Sequence, residues 1–335
     1  MKSRLPFSTR ARMVASLLTL AGLMALIASG RGEGDAVIVE IRSGATSQRV
    51  SSVLATNDIV GSARLFHAYI RIRGADRSLK AGTYQMRTRS SMRQALGQLS
   101  RGEVETVAVT VPEGLAFWQL APILAGITGD SDAAIAEALQ NPSLTERFSV
   151  PGPTLEGYLF PDTYRFARGV PLEAVIDAMV ERYRSVWTDE RRMTLAASGM
   201  TEQEVVTLAS IIQTEARQVS EMPRISGVYH NRIRDGWLLQ ADPTVIYALG
   251  GYRERLLYAA IDSVADNPYN TYTQRGLPPG PIASPGEQAI DAALQPERHA
   301  YWFFVARPDG YHVFTQTLAE HNRAKEEQRE ARGGA

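Results

Sequence analysis

"VVTLASIIQTEARQVSEM", Val205–Met222, sets the character of the larger part of the chain. Val205, Leu208, Ile212, Val219 and Met222 recur at intervals that fit one face of an amphipathic helix. Glu215 falls three residues after Ile212 and four before Val219, so its carboxyl group is aimed along the apolar face. Two readings are open. The residue is a helix-boundary acid whose stem packs while its head reaches water. Alternatively, it sits in a partly apolar site, where desolvation raises its pKa and lets it act as a general acid near neutral pH.

The surrounding segment, Met200–Leu249, reads as helical with interruptions. Thr201 and Glu204 form a capping box at the start of the helix that carries Glu215. Pro223 predicts a break or bend. "RISGVYHNRIRDG" is a further helix stopped by Gly236. "DPTVIYALGG" is a short one, with Asp242 as N-cap, Pro243 at the first position and Gly250 as the stop. Pro268–Gln288 reads as a long proline-stiffened loop that hands over to a helix through a second capping box at Ser284–Glu287. "YWFFVARPDGYHVF" predicts a hairpin turning at Pro308-Asp309-Gly310, and a charged helix follows from Leu318.

Upstream, "TVAVTVPEG" predicts a strand, "AFWQLAPILAGI" and "SDAAIAEAL" short helices, and "LEAVIDAMVERYRSVW" a clear amphipathic helix. Between them Pro151–Phe166 is turn-rich. Ala36–Gly102 reads as a strand ("AVIVEI"), two helices, a strand ("KAGTYQM") and a further helix, a small unit of its own. The expected class is α+β, with a small β-α-α-β part ahead of a larger mixed part.

The 335 residues carry no net charge and show no basic stripe interleaved with aromatics, so a nucleic-acid partner is not expected. There is no cysteine, which excludes disulfides, thiolate metal sites and thiol nucleophiles. Lys2, Arg4, Arg10 and Arg12 precede the uncharged run Met13–Ser29. That run predicts a transmembrane helix at residues 13–29, with residues 1–12 as a cytoplasmic tail and the body on the far side of the membrane. The competing reading is a cleaved signal peptide, with Ala25, Ala28, Ser29 and Gly30 as small residues near its end. Both export the body.

No G-x-S-x-G, phosphate-binding loop or H-E-x-x-H occurs, and the histidines do not cluster at metal spacing, so no metal or cofactor is expected. Carboxylates, amides and tyrosines in loops remain. Asp242 has a capping role, and Asp162 fits a turn. Glu156, in "LEGY", is open to either a structural or a functional role. The loop "YNTY", Tyr269–Tyr272, suits a sugar, with rings for its apolar face and with Asn270 and Thr271 for its hydroxyls; it equally suits a loop pinned by its own tyrosines. His312 and Phe314 share one face of their strand, as a surface pair or as part of a site.

"LEGYLFPDTY", "LASIIQTEA", "HNRIRDGWLLQADPTVIYALG", "YNTYTQRGLPPGPIASPG" and "YHVFTQTLAEHN" occur in that order. Together they resemble the endolytic murein transglycosylase (YceG-like) family over nearly the whole chain after the apolar run. The resemblance implies a LysM-like subdomain at residues 36–105 and a catalytic domain at 106–330. It implies a single-pass inner-membrane enzyme, with its catalytic domain in the periplasm, that cuts peptidoglycan strands internally. Peptidoglycan synthases such as penicillin-binding proteins are expected neighbours. The family's catalytic glutamate falls on Glu215. Gln240, Tyr269, Asn270, Thr271, Tyr272, His312 and Phe314 fall on blocks that line its cleft, and Glu156 and Tyr158 are expected with them as substrate contacts. One departure is Gln213, where an additional acid often sits. Two further readings remain open: a muramidase-type hydrolase with Glu156 or Asp242 as second carboxylate, and a non-catalytic glycan-binding scaffold.

Overall fold

The computed structural model describes residues 34–42, 44–103, 106–251 and 258–333. Met13–Ser29, and with it the anchor-or-signal expectation, lies outside them. No helix among the described residues is long and apolar enough to cross a membrane. The chain divides into two compact units. One comprises the described residues up to Val107 together with 165–168, and the other comprises 108–164 and 169–333.

The first unit follows the order read from the sequence. β1 (Ala36–Ile41) is followed by α1 (Ser47–Thr56), α2 (Ala63–Ile72), β2 (Gly82–Arg87) and α3 (Met92–Arg101). β1 and β2 are antiparallel, with Val39 opposite Tyr84 and Ile41 opposite Gly82. Strand alternation turns Val39, Ile41, Tyr84 and Met86 inward onto Val50, Leu54, Phe66, Ile70, Ala95 and Leu99 of the three helices. Thr46 and Ser62 cap α1 and α2, and Ser91 forms a capping box with Gln94 on α3. The buried Tyr84 hydroxyl donates to the Lys80 carbonyl, which satisfies the one polar atom that strand brings into the core.

The second unit is mostly helical, with small two-stranded sheets. β3 (Thr106–Thr110) pairs with β4 (Thr163–Ala167), and the division between the units falls within these strands. β4 lies inside the stretch expected to be turn-rich; a short strand next to "FPDT" carries too little alternation to show. α4 (Phe117–Thr128), α5 (Asp132–Leu139), α6 (Pro142–Arg147), α7 (Leu172–Val186) and α8 (Asp189–Ser198) follow in chain order around β4.

The centre of the unit is α9 (Glu202–Glu215), which begins at the expected Thr201–Glu204 capping box. Val205 to Ile212 are buried without exception, so this helix is enclosed on all sides rather than striped. It packs on α10 (Met222–Arg234) and on α13 (Glu287–Leu294). The expected stripe beyond Glu215 is therefore corrected: α9 ends at Glu215, and Val219, in a 3-10 turn (Val219–Glu221), is 55% exposed. The break precedes Pro223, which sits in the first turn of α10, where its missing N–H costs nothing.

Two caps also differ from expectation. Ala241 occupies the cap position of α11 (Asp242–Ala248), and Asp242 is the first helical residue. Gly286, not Ser284, precedes α13. Its amide donates to Gln213 Oε1 at 3.0 Å, so the last turn of α9 fixes the start of α13. α12 (Tyr258–Ser263) leads to the proline-rich loop, and β5 (Phe303–Ala306) pairs antiparallel with β6 (His312–Thr315) as the expected hairpin. α14 (Leu318–Gly333) closes the described chain.

Candidate active site

Glu215 is the last residue of α9, half-buried, where the enclosed helix meets the surface. The Tyr229 hydroxyl, from α10, donates to its Oε1 at 3.0 Å. Its pKa is raised to about 7. Desolvation is the largest cause and the negative charge of Asp242 the second; the Tyr229 hydrogen bond and the Arg232 charge act the other way. A helix C-terminus adds to the same direction, because the macrodipole disfavours an anion there.

Arg232 is buried, and its guanidinium donates to the carbonyls of Trp302 (2.9 and 2.7 Å) and Leu239. It ties the hairpin to the loop ahead of α11 and leaves a positive charge near Glu215 with no carboxylate bonded to it among the described residues. Burial lowers its pKa, and the nearby Tyr229 and Glu215 oppose that shift. Asp242 is exposed and accepts from the Tyr272 hydroxyl, so it faces the site rather than capping its helix. Gln240 is exposed with a positive φ of 48°, and its amide donates to the Thr271 carbonyl at 3.0 Å. A non-glycine residue held in that region beside the two carboxylates is backbone strain where function concentrates it.

The loop "YNTY" is built by its own polar groups. Asn270 Nδ2 donates to the Ile261 and Val264 carbonyls, and its Oδ1 accepts from the Tyr272 amide. Thr271 Oγ1 accepts from the Ala241 amide and shares a hydrogen bond with Thr244 Oγ1. Both side chains are buried, so the expectation that they bond sugar hydroxyls is corrected: their hydrogen-bonding groups hold the loop and Ala241 in place. Tyr269 and Tyr272 stay half-exposed.

A second buried acid lies in the same unit. Glu156 Oε2 accepts from the amide of Phe117, the first residue of α4, at 2.9 Å, and the nearby Tyr247 hydroxyl favours its ionised form. Burial lifts its pKa to about 8 against both. Next to it Gly157 has φ +82°, and a Cβ there would stand 2.4 Å from Pro281. Only glycine lets "LEGY" pass beneath the proline-rich loop. Tyr158 is 0% exposed, with its ring edge-on to Tyr183 at 5.2 Å. It has no surface to offer a substrate and belongs to the core, which corrects its place among the substrate contacts.

His312 and Phe314 do share one strand, with ring centroids 6.1 Å apart. His312 is buried and bonded through Nδ1 to Glu221 Oε2 at 2.8 Å, while its own amide donates to the other oxygen of that carboxylate. Phe304 meets both the His312 ring (5.3 Å) and the Tyr229 ring (5.9 Å) edge-on. The hairpin therefore packs directly on the residue that bonds Glu215. Tyr229, Arg232 and Glu221 had no signal in the sequence, because each meets its partner only after separate elements pack. The surface cavity of about 610 Å³ beside Arg191, Pro223, Glu287 and Asp291 contains none of these site residues. Among the described residues no three His, Asp or Glu side chains converge as a metal site would require.

What the arrangement supplies is one accessible carboxyl that is protonated for much of the time near neutrality, with an anion and a buried cation beside it and aromatic hydroxyls around it. Residues 39–327 match the YceG-like family. Over 306 residues the chain is 33% identical to an endolytic murein transglycosylase of Bacillus subtilis (strain 168), covering 87% of this chain and 84% of that one. An endolytic murein transglycosylase of Streptococcus pneumoniae (strain ATCC BAA-255 / R6) is 28% identical over 320 residues, which span 86% of this chain and 57% of the relative. The crystal structure of a yceG-like protein from Listeria monocytogenes superposes with a TM-score of 0.60 at 30% identity, covering 87% of this chain and 99% of that one. The chain belongs to the YceG-like family.

Proposed function

We propose, starting from that membership, that the protein is an endolytic lytic transglycosylase of peptidoglycan and that Glu215 is its single acid and base. The observation that carries the assignment is the Glu215 site itself: a half-buried carboxyl raised to about 7 at a helix end, beside Asp242 and hydrogen-bonded by Tyr229. Protonated Glu215 gives its proton to the glycosidic oxygen between N-acetylmuramic acid and N-acetylglucosamine as that bond breaks. Asp242 and the ring hydroxyls face the positive charge that develops on the sugar. Glu215, now anionic, takes the proton from the C6 hydroxyl of the muramic acid, whose oxygen closes onto C1. The products are a 1,6-anhydro end and a new N-acetylglucosamine end, and no water is consumed.

A two-carboxylate hydrolase built on Glu156 is less well supported, and one built on Asp242 would leave reducing rather than anhydro ends. Glu156 is enclosed, bonded to the Phe117 amide and raised to about 8, so it does not offer an anion to a water or a sugar. The scaffold reading leaves the proton affinity of Glu215 and the strain at Gln240 without a role. The anchor at residues 13–29, the LysM-like character of residues 36–105, the catalytic domain at 106–330, a periplasmic location and work beside peptidoglycan synthases complete the proposal. They rest on the positive-then-apolar N-terminus and on the family resemblance. Incubation of the detergent-solubilised chain with purified sacculi tests it. Soluble glycan is released by the wild type and not by folded Glu215→Gln; equal release by that variant removes Glu215 from the chemistry.

A further inference from the structure

Three half-exposed rings form a row in the second unit. Trp118 lies 5.2 Å from Tyr247 and Tyr247 4.8 Å from Tyr269, centroid to centroid, with planes inclined by 40° and 41°. Phe117 meets the first two edge-on. They come from three elements: the first turn of α4, the last turn of α11 and the "YNTY" loop. We propose that Trp118, Tyr247 and Tyr269 form an aromatic subsite that holds a sugar ring of the glycan strand to one side of the bond Glu215 cuts; this rests on the transglycosylase reading above.

The row does not have the form of a packing cluster. The same unit contains such a cluster in Tyr158, Tyr183 and Trp187, at 0%, 2% and 4% exposure, with planes close to perpendicular. Buried rings adopt that edge-to-face arrangement. The Trp118 row instead keeps its rings only half-buried and tilted toward one another. A pyranose presents axial C–H groups on one face and hydroxyls around its rim, and half-buried tilted rings, two of them tyrosines with a hydroxyl at the edge, match both.

Two elements connect the row to the acid. α11 carries Asp242 at its start and Tyr247 five residues later, roughly 7.5 Å along the axis. Through the loop, Asp242 is joined by Tyr272 to the same four-residue stretch that carries Tyr269 against Tyr247. Glu156 lies beneath. It accepts from the Phe117 amide at the start of α4 and lies close enough to Tyr247 for the two to shift each other's pKa, so it sits against two of the three elements and is a positioning residue for the subsite. A strand gripped away from the cut bond is what internal cleavage needs, because the chain end gives no anchor.

The test uses the full chain in detergent and soluble, peptide-free glycan strands. In a Glu215→Gln background, Trp118→Ala weakens strand binding by about tenfold in calorimetry, Trp118→Phe recovers most of it, and the melting temperature of both stays close to the parent. In the active background the loss falls on KM, with kcat changed by less than about threefold. Should Trp118→Ala fail to fold, Tyr269→Leu keeps bulk without a ring face and carries the same tenfold expectation. Undiminished affinity in a folded variant, or a loss confined to kcat, overturns the subsite. The two readings fail separately: strands bound but left uncut by the wild type sink the activity, while strands cut with unchanged KM in Trp118→Ala sink only the subsite.

Discussion

Glu215 and Glu156 belong to the same unit and are raised in pKa by the same cause, yet they are built for different work. Glu156 is closed in, and its carboxyl accepts from a backbone amide beside Tyr247, so it serves the scaffold. Glu215 keeps part of its surface open, has an anion beside it, and stands at the end of a buried helix. Burial makes a carboxyl that keeps a proton; access and a neighbouring charge make one that can give it away.

The difference can be broken at several points. The largest effect is expected from Glu215→Gln, which keeps the Tyr229 contact and loses the proton: turnover falls by about 10²–10⁴-fold or to background, with an unchanged circular dichroism spectrum. Asp242→Asn removes the charge that helps raise Glu215, so the alkaline limb of the kcat/KM profile moves to lower pH and activity at pH 7.5 falls by about tenfold. Tyr229→Phe removes a hydrogen bond that lowers the same pKa, so the limb moves the opposite way, by less than about one pH unit. The two variants displace the limb in opposite directions; displacement in the same direction would show that Asp242 and Tyr229 do not set the Glu215 pKa in opposite senses.

Glu156→Gln should change turnover least and pH-dependent stability most. A folded-state pKa raised to about 8 means that the folded chain holds this proton more tightly than the unfolded one. The resulting stability is complete below about pH 4.5 and is lost as pH rises through 8. The glutamine variant escapes that loss. Its melting temperature should match the wild type at pH 4.5 and exceed it at pH 8.5; a constant gap across that range would show that Glu156 does not hold the proton.

Much of the scaffold was legible because caps and periods are local. Thr201 with Glu204, the glycine stops and the hairpin at Pro308–Gly310 all depend on residues within a few positions of one another. Glu215 was legible as an anomaly, but for an incomplete reason. The stripe that singled it out continues only on paper, since α9 is buried all round and Val219 faces solvent. Asn270 and Thr271 looked like sugar ligands because the sequence shows an amide and a hydroxyl but not that both are buried, and buried polar groups must find partners in the chain itself. Asp242 looked like a cap because its pairing with Tyr272 spans thirty positions. Tyr229 and Arg232 stayed silent for the same reason: their partners belong to other elements, and no spacing announces them.

The end groups of the cut strands test the account most directly. Full-length protein is incubated with purified sacculi, and the products are separated and weighed by mass spectrometry. New muramic acid ends in the 1,6-anhydro form are expected from the wild type and none from Glu215→Gln. Reducing muramic acid ends, one water heavier, would contradict the single-carboxyl mechanism, and anhydro ends from Glu215→Gln would contradict the assignment of Glu215.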